Sequence, residues 1–114
     1  MVAKRNSLKL NKLQLKTLTI LQALVGTEDG AAISDSATKL SIPWMPSPHG
    51  NHFHVGEYLI YTSDANGLGN ISVWTALARK GLVEGLPPGP TYLTNLGVSY
   101  DTGLSTKVLH KLDH

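Results

Sequence analysis

The sequence predicts a small α+β domain in which helices pack with a short antiparallel β-hairpin. Residues 12–25 place Leu13, Thr17, Ile20, Leu21 and Leu24 at helical spacing, and residues 71–80 do the same with Val73, Trp74, Leu77 and Ala78. Two short extended pieces, residues 82–86 and 91–94, flank the turn Pro87-Pro88-Gly89-Pro90. With 114 residues the chain has room for one hydrophobic core. The expected organisation is a basic N-terminal arm over residues 1–10 and a single domain over residues 11–114.

Each element carries its own signal. Asn11 is a candidate N-cap for the first helix and Gly26 its terminator. Leu15 and Leu18 widen the apolar face of this helix, while Lys9, Lys12, Lys16 and Thr19 make up its polar side. So wide a face suits more than one neighbour, and a homodimer seam is one expectation from it. Residues 27–48 have poor periodicity and three prolines, which reads as a long connection with one helical turn near residues 36–40, held to the core by Trp44 and Met45. Residues 52–61 are β-branched and aromatic, and Gly56 suits a bulge or turn, so an extended segment or hairpin is expected. A short helical turn over residues 63–68 ends at Gly69, and Asn70 caps the second long helix, which stops at Gly81. Beyond Asn95 a short strand or a final helix over residues 105–112 fits equally.

Composition excludes several classes of function. The absence of cysteine rules out disulfides, thiolate metal sites and cysteine nucleophiles. No run of about 18 apolar residues could span a membrane. The basic start is interrupted by Lys12, Gln14 and Lys16 and lacks a small-residue cleavage site, so a signal peptide is not expected and a cytoplasmic location is the default. The net charge of +2 conceals an asymmetry, because Lys4, Arg5, Lys9, Lys12 and Lys16 fall in the first sixteen residues with no acid among them. Such an arm suits phosphate or an acidic partner, or serves only as a solvated face.

The stretch Val73-Trp74-Thr75-Ala76-Leu77-Ala78-Arg79-Lys80-Gly81-Leu82-Val83, followed by the Pro/Gly tip and Tyr92-Leu93-Thr94-Asn95-Leu96-Gly97, resembles the winged helix-turn-helix pattern of MarR- and PadR-like regulators. Leu77, Gly81, Leu82, Val83, Thr94 and Gly97 match, Tyr92 is displaced by one residue, and the likeness covers residues 63–97. The resemblance implies a winged-helix-like domain with residues 71–80 as the recognition helix and the Pro87–Pro90 hairpin as the wing. It further implies duplex DNA as a partner. Ser72, Thr75, Arg79 and Lys80 on the helix would then make the contacts, with Lys4, Arg5, Lys9, Lys12 and Lys16 from the arm. The wing tip itself contributes no Lys or Arg.

A second feature lies outside that pattern. His49-Gly50-Asn51-His52-Phe53-His54 places three of the five histidines within six residues. On a strand, His52 and His54 would project from one face, and His49 could join them after a turn at Gly50. Three imidazoles suit a divalent transition metal such as Zn, Ni, Cu or Fe(II), with Glu57 or Asp64 available to add an oxygen. The competing reading has Phe53 and Val55 facing the core and the histidines merely facing solvent. His110 and His114 stand four apart near the end and are read as without a role.

No nucleophile elbow, phosphate-binding glycine loop or His-Glu-x-x-His helix is present, so an enzyme is not expected, although a metal-dependent activity at the histidines stays open. The expected function is that of a DNA-binding-like regulator or accessory factor, responsive to metal if the histidines bind one. The alternatives are a protein-interaction module that does not bind DNA and a small histidine-rich metal-binding protein.

Overall fold

The computed structural model describes residues 7–26, 39–43 and 47–111. The first helix, α1 (Lys12–Gly26), begins with a reciprocal cap in which the Gln14 amide donates to Asn11 Oδ1 at 2.8 Å and the Asn11 amide donates to Gln14 Oε1 at 3.0 Å. Its central turns are enclosed on all sides, with Leu18, Ile20 and Leu21 fully buried. Thr17 and Thr19 are buried there too, because each hydroxyl returns a hydrogen bond to the carbonyl four residues back, at 2.8 Å in both cases.

That burial corrects the expected polar side of α1. Thr19 faces protein, where its hydroxyl shares a 2.6 Å hydrogen bond with Thr102. The wide apolar face is covered by elements of the same chain, which removes the reason for a homodimer seam. Residues 8–10, just before α1, also pack on the domain. Leu10 is buried, the Leu8 amide donates to Tyr100 Oη at 3.0 Å, and the Leu8 carbonyl accepts from Lys80. Lys4 and Arg5 lie outside the described residues.

Among the described residues, two three-stranded antiparallel sheets accompany the helices. The first joins β1 (Lys39–Ser41), β4 (Val83–Glu84) and β5 (Tyr92–Thr94) in the order β1-β5-β4, so that the last of these three in sequence is the central one. Lys39 and Leu40, expected in a helical turn, therefore lie in a strand paired with Thr94 and Leu93. Trp44 and Met45 lie outside the described residues. The second sheet joins β2 (His52–Val55), β3 (Tyr58–Tyr61) and β6 (His110–Lys111) in that order.

Between β3 and β4 in the chain come a 3-10 helix (Thr62–Gly69) and α2 (Ile71–Arg79). Asn70 separates them, and its side chain accepts from the Ser72 amide at 2.9 Å as the N-cap of α2. Val73, Trp74 and Leu77 form the buried face of α2 and share one core with Leu18, Leu21 and Leu24. The two short helices α3 (Asn95–Ser99) and α4 (Ser105–Val108) follow β5. Residues 105–111 are thus helix first and strand second, and Leu112 lies outside the described residues.

Thr94 joins the hairpin to the helices. Its hydroxyl donates to the Gly81 carbonyl at 2.7 Å and accepts from the Gly97 amide at 3.1 Å, capping α3. Gly97 lies against the Leu82 carbonyl so closely that a Cβ there would overlap the oxygen. The Thr-x-x-Gly spacing thus has a local physical cause: one residue caps, and three residues on the backbone must pass close to another chain segment.

Candidate functional site

The histidine segment enters its sheet through a tight turn. Gly50 takes φ of 69° at the first central position, the position that favours glycine in the type of turn joining antiparallel strands. His49 and His52 form an isolated bridge across it, with the His49 amide donating to the His52 carbonyl at 2.7 Å. The Thr62 amide and hydroxyl both donate to the Asn51 carbonyl, at 2.8 and 3.2 Å, which fixes the turn to the end of β3.

Alternation along β2 then separates two faces. Val55 and, across the ladder, Ile60 are buried in the core. His52 and His54 project the other way, opposite Tyr61 and Leu59 respectively. The three rings meet there. Centroids of His52 and His54 are 4.9 Å apart, those of His49 and His54 5.4 Å, and those of His49 and His52 6.3 Å. His52 Nδ1 lies 3.1 Å from Asn51 Oδ1.

His110, read from the sequence as without a role, stands on the same face, since it pairs with Leu59 in register. Its ring is 5.1 Å from that of Tyr61, edge on. Nothing local to residues 105–114 could have placed it there, because β6 reaches the hairpin only through the tertiary fold. His114 lies outside the described residues.

The two carboxylates expected beside the histidines are engaged elsewhere. Asp64 pairs with Lys16 at 2.9 Å and Glu57 with Lys111 at 3.2 Å. Among the described residues no group of three or more His, Asp or Glu side chains is placed to hold a metal ion.

The residues expected to contact DNA divide into three groups. Ser72 and Arg79 are exposed on α2 and Thr75 is half-buried, its hydroxyl donating to the Ile71 carbonyl at 2.9 Å. Spacings of three and four along the helix put these three on one side, away from Val73, Trp74 and Leu77. Lys9 and Lys12 are exposed. Lys80 donates to the Leu8 carbonyl at 2.9 Å, which brings the end of α2 beside Lys9, whereas Lys16 is held by Asp64.

The sequence did not point to a cleft of about 630 Å³ bounded by Leu21, Leu24, Ile42, Trp74 and the Pro87–Pro90 tip. Trp74 forms part of its wall while its Nε1 donates to the Leu68 carbonyl at 2.9 Å. Here the prolines do more than reverse the chain, since they line an apolar surface.

No family model, curated protein or solved structure matches the chain. Among the described residues no helix is long and apolar enough to cross a membrane.

Proposed function

We propose that this chain is a winged-helix-type domain that docks on duplex DNA, with α2 as the helix presented to the major groove. One observation carries the reading: a helix pair broken at a single residue, Asn70, leads into a hairpin whose return strand β5 pairs with both β4 and the early strand β1. The part of that order from α2 through the hairpin is what the resemblance over residues 63–97 implies, and the polar side of α2 faces outward. In helix-turn-helix proteins that second helix reads base edges while neighbouring residues fasten to phosphates.

The basic groups divide the work accordingly. Ser72, Thr75 and Arg79 face the groove, and Lys9, Lys12 and Lys80 supply phosphate contacts beside the helix end. Lys16 does not take part while Asp64 holds it. The Pro-rich tip carries no cation and contributes shape alone.

Fluorescence anisotropy with a mixed-sequence duplex at low salt tests the proposal. Binding that weakens steeply with added salt is the expected result. A chain that leaves every duplex free at low salt would instead be a protein-docking module built on the same fold, and the DNA reading would be withdrawn.

A further inference from the structure

We infer that His49, His52 and His54 form a binding site for one late divalent transition metal ion on the outer face of the β2–β3 hairpin. The inference is independent of DNA binding, because the hairpin belongs to the second sheet and shares no residue with α2.

Spacing is the first argument. Two imidazoles ligating one ion through nitrogens at about 2.1 Å keep their ring centroids roughly 4.5–5.2 Å apart, from octahedral to tetrahedral angles. The centroid distances of 4.9 and 5.4 Å that His54 makes with its two neighbours already have that scale. The third, 6.3 Å between His49 and His52, shortens when the exposed His49 ring turns about its own side-chain bonds. As they stand the three rings are not placed to hold an ion, so the site requires them to turn about their side-chain bonds.

Backbone support is the second argument. The turn is fastened by the bridge between His49 and His52 and by two bonds from Thr62 to the Asn51 carbonyl. Buried Val55 and Ile60 anchor the opposite face of the same strands. Bringing the three rings together therefore costs little backbone ordering. Asn51 adds orientation: its Oδ1 accepts from His52 Nδ1, which leaves Nε2 as the nitrogen with a free lone pair.

Donor chemistry selects the ion. Three neutral imidazoles suit Zn(II), Ni(II) or Cu(II), whereas Mg and Ca require oxygen ligands. The Fe(II) arrangement of two histidines and one carboxylate would need Glu57 or Asp64 to leave its ion pair with Lys111 or Lys16. His110 belongs to the surroundings of the site rather than to its ligands. It is separated from His54 by a whole strand, with Leu59 between them, a backbone distance of roughly 10 Å. An ion held by three nitrogens at a surface keeps at least one position for water or an outside ligand.

The test is calorimetric titration of ZnCl2 and NiCl2 into the full chain without an affinity tag, at neutral pH. One ion per chain is expected. His54→Ala, at an exposed position, should weaken binding at least tenfold while the far-ultraviolet dichroism is unchanged, and His49→Ala should do the same. His110→Ala should stay within twofold of the parent chain. Ring-proton NMR of the parent should show three histidines perturbed together by substoichiometric Zn(II). Absence of a saturable site, or equal loss from His110→Ala and His54→Ala, would overturn the assignment.

Discussion

Thr19 and Thr102 share a hydrogen bond of 2.6 Å although 83 residues separate them in the chain. It belongs to a short relay: the Leu104 amide donates to Thr102 Oγ1 at 3.3 Å, and the Thr19 hydroxyl donates to the Leu15 carbonyl at 2.8 Å. The Thr102 hydroxyl thus donates to Thr19, and each of the two buried oxygens has a partner on either side. Thr102→Val keeps the volume and removes the middle of the relay, so unfolding in urea should show a loss of about 1–3 kcal/mol with an unchanged slope. Ser99→Ala, at an exposed hydroxyl, should cost much less.

Leu77 is fully buried where α2 meets α1. Leu77→Ala should cost on the order of 2–5 kcal/mol, the transfer term plus the cavity it leaves. Denaturant titration would check it, and a cost below about 1 kcal/mol would mean that this helix packs more loosely than described.

Gly97 and Gly69 make a matched pair. A methyl at Gly97 would overlap the Leu82 carbonyl and press on Leu93, whereas one at Gly69 meets nothing within 4 Å. Gly97→Ala should lower stability by roughly 1–3 kcal/mol or prevent folding, as overpacking against backbone cannot relax. Gly69→Ala should be near neutral or slightly stabilising, through the reduced freedom of the unfolded chain. Thermal melts of both variants give the comparison.

For the proposed DNA contact, each phosphate neutralised contributes roughly −0.9 to the slope of log affinity against log salt. Arg79→Ala should reduce the slope by about 1 if Arg79 touches phosphate, and should relax sequence preference if it touches a base edge. Lys16→Ala should leave the slope unaltered, because that side chain is already paired with Asp64.

Binding of Zn(II) at the histidines should raise the melting temperature with the logarithm of the free-ion concentration once it exceeds the dissociation constant. An ion at a hundred times its dissociation constant stabilises the folded chain by about 2.7 kcal/mol. Melting curves with and without Zn(II) at neutral pH test this, and His54→Ala should abolish the difference.

Much of the fold was legible where the signal is local. The Asn11–Gln14 cap and Gly26 bound α1, Asn70 and Gly81 bound α2, and the Pro87–Pro90 turn separates β4 from β5, because caps and turns act within a few residues of backbone. The period of two along His52-Phe53-His54-Val55 was enough to put both imidazoles on one side and Val55 on the other. β1 was missed, since Lys39–Ser41 has no alternation of its own and becomes a strand through pairing with β5.

Tertiary structure decided what covers each face. Side-chain periodicity tells which side of α1 a residue occupies, but the loop bearing Thr102 determines that Thr19 is buried. The same wide face, which would have suited a second copy, is closed by the chain itself. Long-range packing also removed Lys16 from the free cations and brought Lys80 to Leu8. It carried His110 to Tyr61, far from its neighbours in sequence. The spacing of His49, His52 and His54 stands in the sequence, but their approach to within 4.9–6.3 Å comes from a turn held at Asn51 by Thr62. Local backbone chemistry sets the direction of a side chain, and only the assembled core determines what it meets there.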